Sequence, residues 1–284
     1  MTATLMDGAA LAAKVRAQLK DEVGELGSLG LATVLVGDDP ASQIYIRLKH
    51  RSADEVGIRA IDKRLPEDTS EDDVLQLVAE LNDEDGVDGI LVQTPLPEQI
   101  DEARVMRTID PMKDVDGLHP FNAGQLFFGR QTLVPATPGG IMQLLDEYRI
   151  PVAGARAVVV GRSLIVGRPV AMLLLHQNAT VTICHSRTDD LARHTLDADI
   201  LVAAVGIPRL VTADMVKQGA TVIDVGITRT DAGLVGDVDP GVAEVAAFLT
   251  PVPGGVGPMT IAALLDNTVR AARFRRGSLA FPRV

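Results

Sequence analysis

Residues 157–176 read AVVVGRSLIVGRPVAMLLLH, and the fold turns on them. A short apolar run, Ala157–Val160, passes straight into Gly161-Arg162-Ser163. Gly167-Arg168-Pro169 then opens an apolar helix that ends near His176. A glycine turn between a strand and a helix N-terminus directs free backbone N–H groups and the positive end of the helix dipole toward a phosphate. The spacing is not GxGxxG, and a tight strand–helix turn that merely needs glycine has the same appearance. The next strand, TVTIC, ends in Cys184-His185-Ser186-Arg187. Enzymes that take NAD place a carboxylate there for the ribose hydroxyls. Here the Ser186 hydroxyl and the guanidiniums of Arg162 and Arg187 suit a 2′-phosphate, which a carboxylate would repel. The expected cofactor is NADP. His185 also reads as a solvated polar residue without a role.

Working outward, ADILVAAV (198–205) and TVIDVG (221–226) are further β-branched runs. The loops Val205-Gly206-Ile207-Pro208 and Val225-Gly226-Ile227 end two of these strands and are expected to line the same crevice. In the first half, Leu11, Val15, Leu19 and Val23 recur behind Asp7 as an amphipathic helix. LATVLVG (31–37) reads as a buried strand, followed by a helix to about Val56. IRAIDKRL (58–65) is a strand, Ser70 with Asp73 resembles a capping box, and GILV (89–92) is a short apolar strand. Strands alternating with helices imply parallel sheets covered on both faces. The segment Asp110–Gly140 is rich in Pro, Gly and Asn and reads as an inter-domain crossover. Thr137-Pro138 is expected to open a helix through Tyr148, and Thr260–Arg276 is expected to be a final helix.

A chain of 284 residues accommodates about two domains. Both are expected to be α/β with parallel sheets, the C-terminal one Rossmann-type. With 46% hydrophobic and 23% charged residues, a disordered or fibrous chain is excluded. The net charge of −11 argues against a nucleic-acid partner, whose binding rests on phosphate neutralisation. Cys184, the single cysteine, excludes an internal disulfide and a cysteine metal site. No run approaches the ~20 apolar residues that span a bilayer, and the N-terminus lacks a basic signal-type segment. The expectation is a cytoplasmic protein with no membrane partner and no metal.

In the first half, Tyr45 and Lys49 stand four apart on one helix face. Ile44 and Leu48 form the adjacent apolar row, expected to bury that side. A partly desolvated lysine has a lowered pKa and can transfer protons near neutrality. A surface lysine with its stem along apolar neighbours fits the same pattern. Gln93 directly follows a buried strand, at the carboxyl end where α/β sheets place ligands; a loop-capping amide reads alike. Asp114, Asp116 and His119 lie in DVDGLHP, where any of them is equally suited to capping backbone N–H groups. TPVPGGVGPMT (250–260) carries three glycines and three prolines in eleven residues, a backbone suited to close contact with a planar ligand.

IYIRLK, GILVQTPLP, KDVDGLHPFNAG, VVVGRSLIVGRPVA, CHSRT, VIDVG and TPVPGGVGPMT occur in register between about Leu31 and Thr268. Together they resemble the bifunctional methylenetetrahydrofolate dehydrogenase/methenyltetrahydrofolate cyclohydrolase family. The resemblance implies a two-domain subunit, usually a homodimer, with tetrahydrofolate derivatives bound between the domains. It implies residues 1–135 as the folate-binding catalytic domain, joined by the C-terminal helix 260–284, and 136–259 as the NADP-binding domain. NADP⁺ takes a hydride from 5,10-methylenetetrahydrofolate, and the methenyl product is hydrolysed to 10-formyltetrahydrofolate. By the same resemblance Lys49 transfers protons, Gln93 holds it, Tyr45 stacks on folate and Asp116 pairs with the pterin. Gly161, Arg162, Ser163, Ser186, Arg187 and Ile227 contact the dinucleotide, and Gly254 and Gly255 border the pterin.

Members usually carry Leu where Thr94 stands, and many carry Cys where Ala136 stands. A Thr94 hydroxyl has the reach to bond Gln93. Arg270, Arg273, Arg275, Arg276 and Arg283 match no motif and read as a solvated basic helix end. Two other readings stand beside the resemblance: an NADP-dependent dehydrogenase of a small hydroxy or keto acid, and a non-catalytic nucleotide-binding sensor. The Tyr45–Lys49–Gln93 set and the PGGVG loop argue against the first, since a small acid needs no planar platform. Lys49, Gln93 and Asp116 argue against the second, since a sensor needs no proton-transfer groups.

Overall fold

The computed structural model describes residues 2–282 apart from 131 and 232, with residue 41 described in backbone alone; Arg283 lies outside the described residues. The chain forms two units, Ala13–Ala136 with Ile261–Val284, and Met1–Ala12 with Thr137–Thr260.

The first of these holds a three-stranded parallel sheet in the order Ile58–Leu65, Leu29–Val36, Gly89–Val92. All eight residues of the central strand are buried, as a strand covered on both faces requires. Its helices begin and end where local chemistry dictates. Asp39 accepts from the Ser42 N–H at 2.7 Å before Pro40–Val56, and Gly57 closes that helix in the left-handed conformation. Ser70 accepts from the Asp73 N–H at 3.2 Å and opens Glu71–Asp83.

Three expectations change in this unit. Ile44 and Leu48 are exposed, not buried; the helix Pro40–Val56 turns Ile46, Ala53 and Val56 inward instead. The segment 110–140 contains a helix, Pro120–Phe127, behind His119, whose Nδ1 accepts from the Phe121 N–H at 3.0 Å. Its signal was present as a histidine cap followed by proline at the first helical position. The arginines of the last helix, Val256–Arg275, are structural. Arg275 pairs with buried Asp88 at 2.9 Å and donates to the Val87 carbonyl at 2.7 Å. Arg276 donates to the Leu26 and Ser28 carbonyls, Arg273 pairs with Glu22, and Arg270 donates to the Thr132 carbonyl.

The second unit holds a six-stranded parallel sheet in the order Thr4–Leu5, Phe248–Leu249, Thr221–Asp224, Ile200–Ala203, Arg156–Val160, Thr180–Cys184. Here the partition departs from the sequence boundaries. The first twelve residues belong with this sheet because Thr4–Leu5 pairs with Phe248–Leu249, a pairing too short to show as periodicity. A two-stranded hairpin, Thr228–Thr230 with Gly233–Val235, was likewise not anticipated. Strand order reverses at Arg156–Val160, which has later strands on both sides, and open α/β sheets bind ligands at that point. Among the described residues no helix is long and apolar enough to cross a membrane, and no cluster of His, Cys, Asp or Glu is suited to hold a metal ion.

Candidate active site

In the three-stranded unit, register brings the chemistry-bearing residues together. Val92 pairs with Val34, so Gln93 emerges at the carboxyl end of the sheet, its N–H donating to the Val34 carbonyl at 2.9 Å. The helix Pro40–Val56 carries Lys49 to the same place: Lys49 Nζ donates to Gln93 Oε1 at 3.1 Å. The Gln93 amide nitrogen donates to the Thr94 backbone carbonyl at 2.8 Å. The Thr94 backbone, not its hydroxyl, thus orients the amide so that its oxygen faces the lysine. Tyr45, one turn before Lys49, is 41% exposed and free to present its ring.

Asp116 arrives by a different route. Asp114 bridges to Ile90, and the Ile90 N–H donates to the Lys113 carbonyl at 2.7 Å, which lays residues 113–116 along the strand Gly89–Val92. Two buried residues fasten that segment. Lys113 Nζ donates to the carbonyls of Leu81, Asn82 and Glu84 at the end of Glu71–Asp83. Asp114 accepts from the N–H groups of Leu118 and His119 and from the Asn122 amide. The residue pattern alone left Asp114 and Asp116 alike, and only the family resemblance singled out Asp116; the structure makes Asp114 a loop anchor through Leu118, His119 and Asn122. Burial lowers the Lys49 pKa below the usual lysine range, and the carboxylate of Asp116 partly opposes that fall. Burial raises the Asp116 pKa, and the Lys49 charge partly offsets the rise. A lysine depressed by burial beside a carboxylate is the kind of group that general acid–base chemistry uses.

In the six-stranded unit, Gly161 has φ +128°, and a Cβ there would lie 2.2 Å from the Ala204 carbonyl oxygen. A Cβ on Gly167 would lie 2.3 Å from the Gly161 carbonyl oxygen, so only glycines let this turn close. Ser163 Oγ accepts from the N–H groups of Val166 and Gly167, which makes it the organiser of the turn. Beyond the next strand, His185 acquires a role: its Nδ1 accepts from the Arg187 N–H at 3.1 Å, and its own N–H donates to Thr188 Oγ1 at 2.9 Å. This turn leaves Ser186 and Arg187 exposed, and Arg162 is exposed as well. Ile227 is 41% exposed, and Leu164, Ile165 and Ile207 join it as exposed apolar side chains on loops at the carboxyl ends of the strands. Sequence reading placed Ile207 in a crevice-lining loop but missed Leu164 and Ile165. Their signal was apolar residues inside glycine-bounded loops, where burial gives them no purpose.

The glycines of the 250–260 loop are explained in part by packing within the same unit. The Gly254 carbonyl accepts from the Ala9 N–H at 2.9 Å, and a Cβ on Gly255 would come within 2.7 Å of the Pro251 carbonyl oxygen.

Fold and site together define a class: a two-unit α/β protein with one Rossmann-type unit and one unit presenting a lysine–amide–carboxylate set. Comparison with known proteins narrows it. Residues 6–116 match the catalytic domain of tetrahydrofolate dehydrogenase/cyclohydrolase, and residues 135–276 match the NAD(P)-binding domain of the same family. The chain belongs to that family. It is 55% identical over 274 residues to the bifunctional protein FolD of Methanoculleus marisnigri, covering 95% of this chain and 97% of that one. The bifunctional enzyme FolD of Campylobacter jejuni superposes with a TM-score of 0.94 at 46% identity, covering 96% and 99% of the two chains. The Trypanosoma brucei dehydrogenase-cyclohydrolase, solved with NADP and an inhibitor, superposes with a TM-score of 0.92 at 41% identity, covering 99% and 100%.

Proposed function

We propose that this chain oxidises 5,10-methylenetetrahydrofolate to the methenyl compound with NADP⁺ and hydrolyses the methenyl compound to 10-formyltetrahydrofolate. The observation that carries the reading is the 3.1 Å contact between Lys49 and Gln93, coupled to Asp116.

NADP⁺, when bound, accepts the hydride. The chain's residues fit it: a strand and turn closed by Gly161 and Gly167 lead into the helix Gly167–His176, and no carboxylate follows Cys184 before Thr188. Arg162, Ser186 and Arg187 would hold the 2′-phosphate. Gly161 would let the backbone approach the pyrophosphate, with Ser163 shaping the turn. Ile227 would give the dinucleotide an apolar surface.

Tyr45 stacks on the folate ring and Asp116 accepts from its amino and ring nitrogens, while Gly254 and Gly255 border the pterin. In the hydrolysis, neutral Lys49 takes a proton from the attacking water as the oxygen–carbon bond forms. It returns that proton to the ring nitrogen as the carbon–nitrogen bond breaks, and the remaining hydroxyl proton leaves to water as the formyl C=O forms, so one proton is released overall. The Lys49 proton donated to Gln93 Oε1 fixes the amine's direction, so its lone pair faces the substrate.

The functional unit is a homodimer. The strand Thr180–Cys184 is the last in its sheet and carries exposed Thr180, Thr182 and Ile183, an edge suited to pairing with a second copy. Light scattering of wild type and Ile183→Lys tests this, with a dimer expected for the first and a monomer for the second.

The activity is tested by adding 5,10-methylenetetrahydrofolate and NADP⁺ to the purified protein. NADPH absorbance rising together with 10-formyltetrahydrofolate is expected; no NADPH, or methenyltetrahydrofolate decaying at the buffer rate, overturns the reading.

A further inference from the structure

Two carboxylates of the six-stranded unit have no part in either reaction as derived above. Asp224 ends the strand Thr221–Asp224, and Asp237 follows the hairpin; they are 4% and 0% exposed. A carboxylate held away from water requires strong partners, and the hydrogen bonds these oxygens accept come from backbone N–H groups. Asp224 Oδ1 accepts from Gly226 at 3.1 Å and Asp237 at 2.8 Å, and its Oδ2 accepts from Val238 at 3.0 Å. Asp237 Oδ2 accepts from Val205 at 2.7 Å and Gly206 at 3.0 Å. Asp237 Oδ1 is buried with no partner and lies against Gly226, where a Cβ would stand 2.1 Å from it. Thr250 Oγ1 accepts from the Asp224 N–H at 2.7 Å, which ties in the start of the 250–260 loop.

The loops so held follow two adjacent strands, Ile200–Ala203 and Thr221–Asp224, and carry the exposed Ile207 and Ile227. The first of them is also in contact with the glycine turn, through Gly161 and Ala204. We propose that Asp237 and Asp224 are positioning residues for the dinucleotide, holding the backbone of Val205-Gly206 and Gly226-Ile227 at the spacing from the Gly161 turn that the cofactor requires. This deepens the reading above and rests on it. Burial pushes the Asp224 carboxyl up to about 6, with the charge of Asp237 adding to the push.

The two carboxylates differ in a way that separates position from charge. Asparagine at 237 keeps one oxygen for Val205 and Gly206 and places its NH₂ where the unpartnered oxygen stands. Asparagine at 224 must aim its NH₂ at a backbone N–H, because both oxygens of Asp224 accept.

The test compares wild type, Asp237→Ala, Asp237→Asn and Asp224→Asn. The readouts are the NADP⁺ Kd by calorimetry, KM and kcat of the oxidation, and methenyltetrahydrofolate hydrolysis without cofactor. Asp237→Ala and Asp224→Asn are expected to raise the NADP⁺ Kd about tenfold or more, with hydrolysis within about twofold of wild type. Asp237→Asn is expected to stay within about threefold of the wild-type Kd. Where Asp237→Ala does not fold, the comparison of Asp224→Asn with Asp237→Asn decides, with the rise expected in the first alone; equal Kd values in those two variants overturn the assignment. An unchanged Kd in Asp237→Ala and Asp224→Asn, or an Asp237→Asn as weak as Asp237→Ala, overturns the assignment. Wild type that binds NADP⁺ but oxidises no folate overturns the functional reading instead, and the Kd comparison still decides this one.

Discussion

Thr33 Oγ1 and His50 Nε2 lie 2.7 Å apart and tie the central strand of the three-stranded sheet to the helix that carries Lys49. Thr33 is fully buried and His50 half-buried. Burial lowers the His50 pKa, against the pull of Asp62 and Asp54 and with the help of Arg64 and Lys49. The folded state therefore binds its proton less readily than the unfolded chain does. Stability from this residue is present above the unfolded pKa of about 6.5 and is lost as pH falls from there through the folded value. Urea unfolding at several pH values is expected to show this loss in wild type and a shallower one in His50→Leu. Equal slopes in the two proteins would refute it.

Lys49→Met removes the proton carrier and keeps the stem. Methenyl hydrolysis is expected to fall by about 10²–10⁴-fold, the usual loss of a general acid–base group. Oxidation is expected to survive in part, because Tyr45 and Asp116 remain. Separate assays of methenyltetrahydrofolate decay and NADPH formation check this; equal loss of both would make Lys49 a binding residue.

Asp116→Asn removes the carboxylate that holds the Lys49 pKa up against burial. The pH profile of hydrolysis is expected to shift toward acid, and the folate KM is expected to rise for both activities. A profile that stays in place, or a KM that rises for one activity alone, would separate Asp116 from the shared site.

Arg162→Ala deletes a charge-assisted contact to the 2′-phosphate. The NADP⁺ KM is expected to rise roughly tenfold to hundredfold with NAD⁺ use little changed. Wild-type enzyme that uses NAD⁺ and NADP⁺ equally would sink the cofactor assignment.

Arg275→Ala leaves Asp88, whose side chain is only 4% exposed, without its closest cation. Breaking such a pair costs about 3 kcal/mol, so a lowered denaturation midpoint is expected with little change in the kcat of any properly folded fraction. A midpoint within error of wild type would return Arg275 to the solvated helix end.

Much of this protein was legible from its chain alone. The strand Ile58–Leu65, the Ser70 cap, the Gly161 turn and the helix through His176 all follow from local chemistry: β-branched runs, capping oxygens and a glycine at positive φ. The family motifs likewise name Lys49 and Gln93 without coordinates. Other features depend on pairings between distant residues. The strand Thr4–Leu5 has two residues and no period, and it exists because Phe248–Leu249 offers an open edge. Asp114 and Asp116 are alike in sequence, but the bridge to Ile90 and the pull of Asn122 turn the first into an anchor. The arginines of the last helix look solvated until Asp88, Glu22 and free carbonyls are brought to them. A local pattern determines what a segment can form by itself. Which buried charge meets which partner depends on long-range contacts, and only the tertiary structure supplies them.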